Sequence, residues 1–229
     1  MKKCSHRAVF LFVKNLYVFI ARGNGRCYNF NRGDIMKAKE KLPEGYREIF
    51  SVDLQKNKKT ALLINVIAIV ISVAMAVPVH FYIPISTLFD MEKGIGNYIL
   101  RFAVIMISMF AYIILHEAVH GITMKCYGTK KIKYGFTGLY AFAGSDDYYD
   151  KSSYIVIALA PVVVWGIVIA AVNAFVSPEW FWVVYFLQIA NISGAAGDIY
   201  VTTKFARFPK DILVRDSGVG MTVYSAQDK

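Results

Sequence analysis

The chain has 229 residues, 56% of them apolar and 18% charged, with a net charge of +10 and a mean hydropathy of +0.43. Soluble domains carry about 25% charge, so this composition points to a membrane protein. Apolar runs without Lys or Arg exclude a nucleic-acid module as the source of the basic charge, and richness in Phe, Tyr, Ile and Val excludes disorder.

The first 35 residues stand apart. Residues 8–21 are apolar but interrupted by Lys14 and Asn15, and no small-residue cleavage site follows, which does not fit a signal peptide. The segment reads as an interfacial extension or as translated leader. Codons for Arg32-Gly33-Asp34-Ile35 before Met36 can spell a purine-rich ribosome-binding sequence, and a start at Met36 is the expectation. Residues 36–59 form a basic segment expected in the cytoplasm. Cys4, Cys27 and Cys126 contain no C-x-x-C pair, so they fit reduced thiols rather than a disulfide framework or a zinc finger.

Four apolar runs then approach or exceed the roughly 20 residues needed to cross a bilayer. They cover residues 60–83, 98–115, 154–176 and 180–201, the last two joined by the tight Ser177-Pro178-Glu179 turn. The predicted fold is an all-α membrane protein whose four transmembrane helices occupy residues 60–201, followed by a cytoplasmic tail over 202–229. Between helices two and three, Tyr134-Gly135-Phe136-Thr137-Gly138-Leu139-Tyr140-Ala141-Phe142 predicts a small strand-like loop at the membrane surface. Lys and Arg gather before the first run, between the second and third, and after the fourth. Both termini and the central loop are therefore expected on the cytoplasmic side of the cell membrane. Phe81, Tyr82, Tyr98, Trp180 and Trp182 are expected to form an interfacial aromatic belt on the other side.

The sharpest chemical signal is His116-Glu117-Ala118-Val119-His120. Helical residues at i and i+4 share a face, so both imidazoles can bind one Zn²⁺ while Glu117 serves as general base toward water. A catalytic zinc has three protein ligands and an open position. His80 falls at the far end of the first span and His6 in the extension, which leaves a carboxylate as third ligand. His116 lies 18 residues past Tyr98, and Asp198 lies 18 residues past Trp180. At 1.5 Å per residue both reach about 27 Å from the outer interface. Asp198 reads either as this ligand or as a helix-end cap, with Asp146, Asp147 and Asp150 as fallbacks. Asn191, two turns before Asp198, reads either as an oxyanion donor or as a packing amide. Pro161 reads as a kink.

With these residues the chain resembles a family of bacterial multi-pass membrane proteins described as zincin peptidases. The likeness runs from Leu42-Pro43-Glu44-Gly45-Tyr46 to the C-terminus. It rests on His116-Glu117-Ala118-Val119-His120-Gly121, Ala158-Leu159-Ala160-Pro161, Asn191-Ile192-Ser193-Gly194 with Gly197-Asp198, Pro209-Lys210-Asp211, and Gly218-Val219-Gly220. More distantly it is similar to the site-2 proteases, intramembrane zinc enzymes. That likeness implies metal ligands at His116, His120 and Asp198, a general base at Glu117, an oxyanion role for Asn191, and a strand after the zinc helix that pairs with extended substrate. The chain departs from that pattern in lacking a Pro shortly after Asn191 and in placing Gly197 before the Asp instead of after it.

The resulting expectation is a membrane-embedded zinc metalloendopeptidase acting on a membrane-protein or membrane-adjacent peptide near the cytoplasmic face, with the lipid bilayer as its surroundings and no nucleic-acid partner. Two other classes stay open. One is a non-catalytic scaffold with a structural zinc site, and the other is a zinc hydrolase acting on another amide or ester. An aspartyl intramembrane protease fits poorly, because Gly194 is one place too early for Gly-x-Gly-Asp. A serine enzyme fits poorly too, for want of Gly-x-Ser-x-Gly.

Overall fold

A computed structural model describes residues 38–226 apart from residues 54 and 139. The N-terminal extension, with His6, Cys4, Cys27 and Met36, lies outside the described residues. In chain order the elements are strand β1 (Arg47–Asp53), helix α1 (Lys58–His80), a 3-10 turn (Ile85–Phe89), helix α2 (Ile95–Cys126), strands β2 (Lys133–Phe136), β3 (Ala141–Gly144) and β4 (Tyr148–Asp150), helices α3 (Lys151–Phe175), α4 (Pro178–Gly194) and α5 (Ala196–Phe205), and strands β5 (Leu213–Asp216) and β6 (Gly220–Ser225). Helix dominates.

Among the described residues, three helices are long and apolar enough to cross a membrane: α1, α2 and α3. The fourth apolar run is divided. α4 has 17 residues, Ala195 closes it, and α5 begins at the next residue. Gly194 and Gly197 flank that break, and glycine is a weak helix former.

The described residues separate into two compact units, one of residues 55–117 and 161–204, the other of residues 38–53, 118–160 and 205–226. The division falls inside α2, after Glu117, and inside α3, before Pro161.

In the first unit α1 is capped by Asn57, whose side chain accepts from the Thr60 N–H at 3.1 Å. No residue of α1 is buried, and Leu62, Ile69 and Val70 stand exposed on it. An apolar surface of that extent suits lipid rather than water. α4 packs on α1 and the 3-10 turn through Leu88, Trp182, Val183 and Ile189. Trp182 corrects its expected place in the aromatic belt: it is fully buried, and its indole N–H donates to the Ile83 carbonyl at 2.9 Å. A buried Trp needs such a partner for its one polar atom. Phe81 and Tyr82 do stand exposed at the end of α1. Arg101 is buried near the start of α2, where its guanidinium donates to the carbonyls of Thr87 and Asp90 and ties down the connecting loop.

The second unit corrects the all-α expectation. Its four-stranded antiparallel sheet runs β1-β6-β5-β4, so the basic segment and the C-terminal tail contribute paired strands. In β6, alternation turns Met221, Val223 and Ser225 inward. The strand-like loop is present as the β2-β3 hairpin, with Phe136 opposite Ala141. Gly144 at its end leaves no room for a side chain, since a Cβ there would come within 2.3 Å of the Ser217 and Gly218 backbone. Beside it the Ser145 N–H donates to the Asp216 carbonyl at 2.7 Å, which docks the hairpin onto the β5-β6 turn.

Candidate metal centre

His116, Glu117 and His120 all lie on α2, an uninterrupted helix, so the two imidazoles are one turn apart on one face. At 1.5 Å per residue His116 stands about 32 Å along α2 from Ile95. Both histidines are buried, at 9% and 8% exposure, and Glu117 is half-buried.

Each imidazole is held through Nδ1. The Tyr112 hydroxyl, one turn before His116, lies 2.8 Å from His116 Nδ1 and donates to Asn191 Oδ1 at 2.9 Å. Asn191 is fully buried on α4 and donates through Nδ2 to the Val162 carbonyl of α3 at 3.0 Å. A carbonyl only accepts, so it fixes the amide with Nδ2 toward Val162 and Oδ1 toward Tyr112. The phenol has a single proton, spent on Oδ1, so His116 Nδ1 must be the donor to the phenol oxygen. His116 then carries its lone pair on Nε2. Gly166 makes room for this arrangement, because a Cβ there would press on Asn191 Nδ2 at 3.3 Å. His120 Nδ1 lies 2.9 Å from the Ile157 carbonyl, which again obliges Nδ1 to donate and leaves the lone pair on Nε2.

Asp198 sits in the first turn of α5 rather than on a continuation of α4. Its Oδ2 is 3.8 Å from His116 Nε2. Ligands about 2.0–2.1 Å from a tetrahedral zinc stand about 3.4 Å apart, so this pair is close to the spacing of two ligands on one ion. His116 and Asp198 thus bring an imidazole and a carboxylate together, and His120 follows one turn later on the same helix. Two imidazoles and a carboxylate are a donor set that suits Zn²⁺. Both rings also show the Nδ1 hydrogen bond that metal-binding histidines almost always make.

Residues 109–213 match the family model described as Putative zincin peptidase. The zincin match takes in Tyr112, the His116 to His120 motif, Asn191 and Asp198, the central part of the stretch over which the sequence resembles that family. A zincin peptidase family implies a metallopeptidase and zinc as its ion. No curated protein and no solved structure matches the chain.

Two of the carboxylates considered as fallback ligands, Asp146 and Asp150, have structural work. Asp146 pairs with Lys133 at 2.6 Å and with Arg215 at 2.8 Å, and these hydrogen bonds, first that from Lys133, hold its carboxyl below the usual range. Asp150 caps α3, accepting from the N–H groups of Ser152 and Ser153. His80 accepts from the Ile85 N–H at 3.1 Å in the turn after α1. Sequence reasoning missed Tyr112 and the two carbonyls. For Tyr112 there was a signal, its i−4 spacing from His116; a backbone carbonyl has no residue type to betray it.

Proposed function

We propose that this chain is a membrane-embedded zinc metalloendopeptidase that hydrolyses a peptide bond close to the cytoplasmic face of the cell membrane. The observation that carries the reading is the approach of Asp198 to His116 Nε2 at 3.8 Å, on a helix where His120 follows one turn later.

His116, His120 and Asp198 would hold the ion. A zinc bound there supplies Lewis acidity toward the attacking water and the scissile carbonyl. Glu117 takes the proton of that water and returns it to the leaving amine. Tyr112 and Asn191 hold the His116 ring in the Nδ1–H form. With both ends of its amide bonded to Tyr112 and Val162, Asn191 is a positioning residue here, in line with the packing alternative rather than the oxyanion one.

The site's depth supports action at the membrane boundary. His116 lies about 32 Å along α2, against a hydrocarbon core of about 30 Å. In this reading α4 and α5 together make a fourth, broken crossing, and the Lys and Arg distribution puts both termini and the site on the cytoplasmic side. The substrate is a membrane protein or a membrane-adjacent peptide in extended form, taken along the outer edge of β2. Tyr134 of β2 lies against Gly121, directly after His120, so closely that a Cβ on Gly121 would meet its hydroxyl at 1.9 Å. The strand that would receive substrate thus touches the helix that carries the motif.

The test uses the purified full chain in liposomes with a panel of single-span model substrates bearing extended juxtamembrane segments. Zinc-dependent cleavage is expected, and Glu117→Gln should keep stoichiometric zinc while cutting turnover about 10²–10⁴-fold. Undiminished cleavage by Glu117→Gln would overturn the assigned base. Stoichiometric zinc with no turnover on any substrate would favour the scaffold reading.

A further inference from the structure

Helix α3 contains a proline, Pro161, in its interior. In an α-helix the carbonyl of residue i accepts from the N–H of residue i+4, so the partner of the Ile157 carbonyl would be residue 161. Proline has no N–H, and the Ile157 carbonyl has no helical donor there. Water is a poor substitute, since Ile157, Ala158 and Ala160 are each 2% exposed or less. The group 2.9 Å from that oxygen is His120 Nδ1.

We infer that Pro161 is a positioning residue of the metal centre: by withholding a helical N–H it gives the Ile157 carbonyl to His120, which holds that imidazole with Nδ1 donating and Nε2 as the metal-binding nitrogen. This rests on the zinc reading above. The two histidines are then oriented by different means, His116 by a phenol and His120 by a backbone carbonyl released from its own helix. The Ala158-Leu159-Ala160-Pro161 run gains a purpose beyond bending α3. What matters at position 161 is the absent donor, and the pyrrolidine ring is one way of achieving it.

That distinction gives the test. Zinc affinity of the purified full chain in detergent is measured by chelator competition for the wild type, for Pro161→Ala, and for a chain with the α-hydroxy acid analogue of alanine at 161. The last places an ester at that position, with neither N–H nor ring. Pro161→Ala restores a donor that competes for the Ile157 oxygen and should weaken zinc about tenfold, the lower end of the loss seen for partners that orient metal-binding histidines. The ester variant should bind zinc as the wild type does. Wild-type affinity in Pro161→Ala would overturn the inference, as would an ester variant as weak as the alanine one. If Pro161→Ala does not fold, the ester variant decides alone: wild-type affinity supports the inference and weakened affinity overturns it. A wild-type chain that takes up no zinc fails at the earlier step, the zinc reading, and the inference falls with it.

Discussion

Tyr112→Phe isolates the hydrogen-bond relay behind His116 with little change in shape. The ring contacts, edge-on to His116 at 5.6 Å and to Trp165 at 6.5 Å between centroids, survive the loss of one oxygen. Two buried bonds do not, the 2.8 Å contact with His116 Nδ1 and the 2.9 Å bond to Asn191 Oδ1. Leaving a buried polar group unpaired costs about 1–3 kcal/mol. For Asn191 Oδ1 that cost falls on metal-free and metal-bound protein alike and appears as lost stability. For His116 it falls on the metal-bound form, because a ring without metal can change tautomer whereas coordination through Nε2 demands Nδ1–H with no acceptor. Zinc affinity should therefore drop about 10–100-fold, equivalent to about 1.4–2.7 kcal/mol, measured by chelator competition with thermal unfolding as the stability control. Asn191→Ala should also weaken zinc, since Tyr112 would lose its acceptor and could donate to Nδ1 instead. The double variant should be no worse than the weaker single one, because residues acting as one unit are not additive. Unchanged zinc affinity in Tyr112→Phe, or full additivity with Asn191→Ala, would refute the relay.

Asp198→Ala should lower zinc affinity by more than the roughly 100-fold upper range for an orienting partner, since it removes a proposed ligand outright. Full retention of zinc by that variant would remove Asp198 from the centre. In the sheet-bearing unit, burial pushes the Tyr149 phenol above its ordinary value near 10, against the opposing pull of its hydrogen bonds with Ser145 and Thr129. A group whose value is raised by folding contributes stability in full below its unfolded value and loses it as pH climbs through the folded one. Tyr149→Phe, which gives up both bonds, should therefore be about 1–3 kcal/mol less stable at neutral pH. The gap to wild type should shrink above pH about 10. A constant gap up to strongly alkaline pH, read by denaturant unfolding, would contradict the assignment.

The parts of this molecule legible in the sequence are those that periodicity or residue type announces. The apolar runs gave three helices of spanning length, and the i, i+4 histidines gave a shared face on α2. The Tyr134 to Phe142 stretch gave a hairpin. The four-stranded sheet escaped because β1 and β5 carry Arg47, Glu48, Arg215 and Asp216 within four- to seven-residue strands, and short charged segments beside long apolar ones read as tails. Trp182 escaped because an aromatic at a span's end is equally suited to an interface and to a core. The fourth span escaped as a single helix because an apolar count is blind to a break at one residue, Ala195, between two glycines.

The candidate metal centre shows a deeper limit and a way past it. Val162 and Ile157 act through main-chain carbonyls, which every residue owns, so neither can be singled out from its side chain. A proline inside a helix is the exception, because it names the carbonyl it frees: the one four residues earlier. In this chain Pro161 points to Ile157, and a buried carbonyl without a donor calls for a polar hydrogen from a neighbouring element. A histidine whose other nitrogen must face a metal is well suited to provide it. Beyond the kink it puts in the backbone, Pro161 matters chemically through the bond the backbone can no longer make.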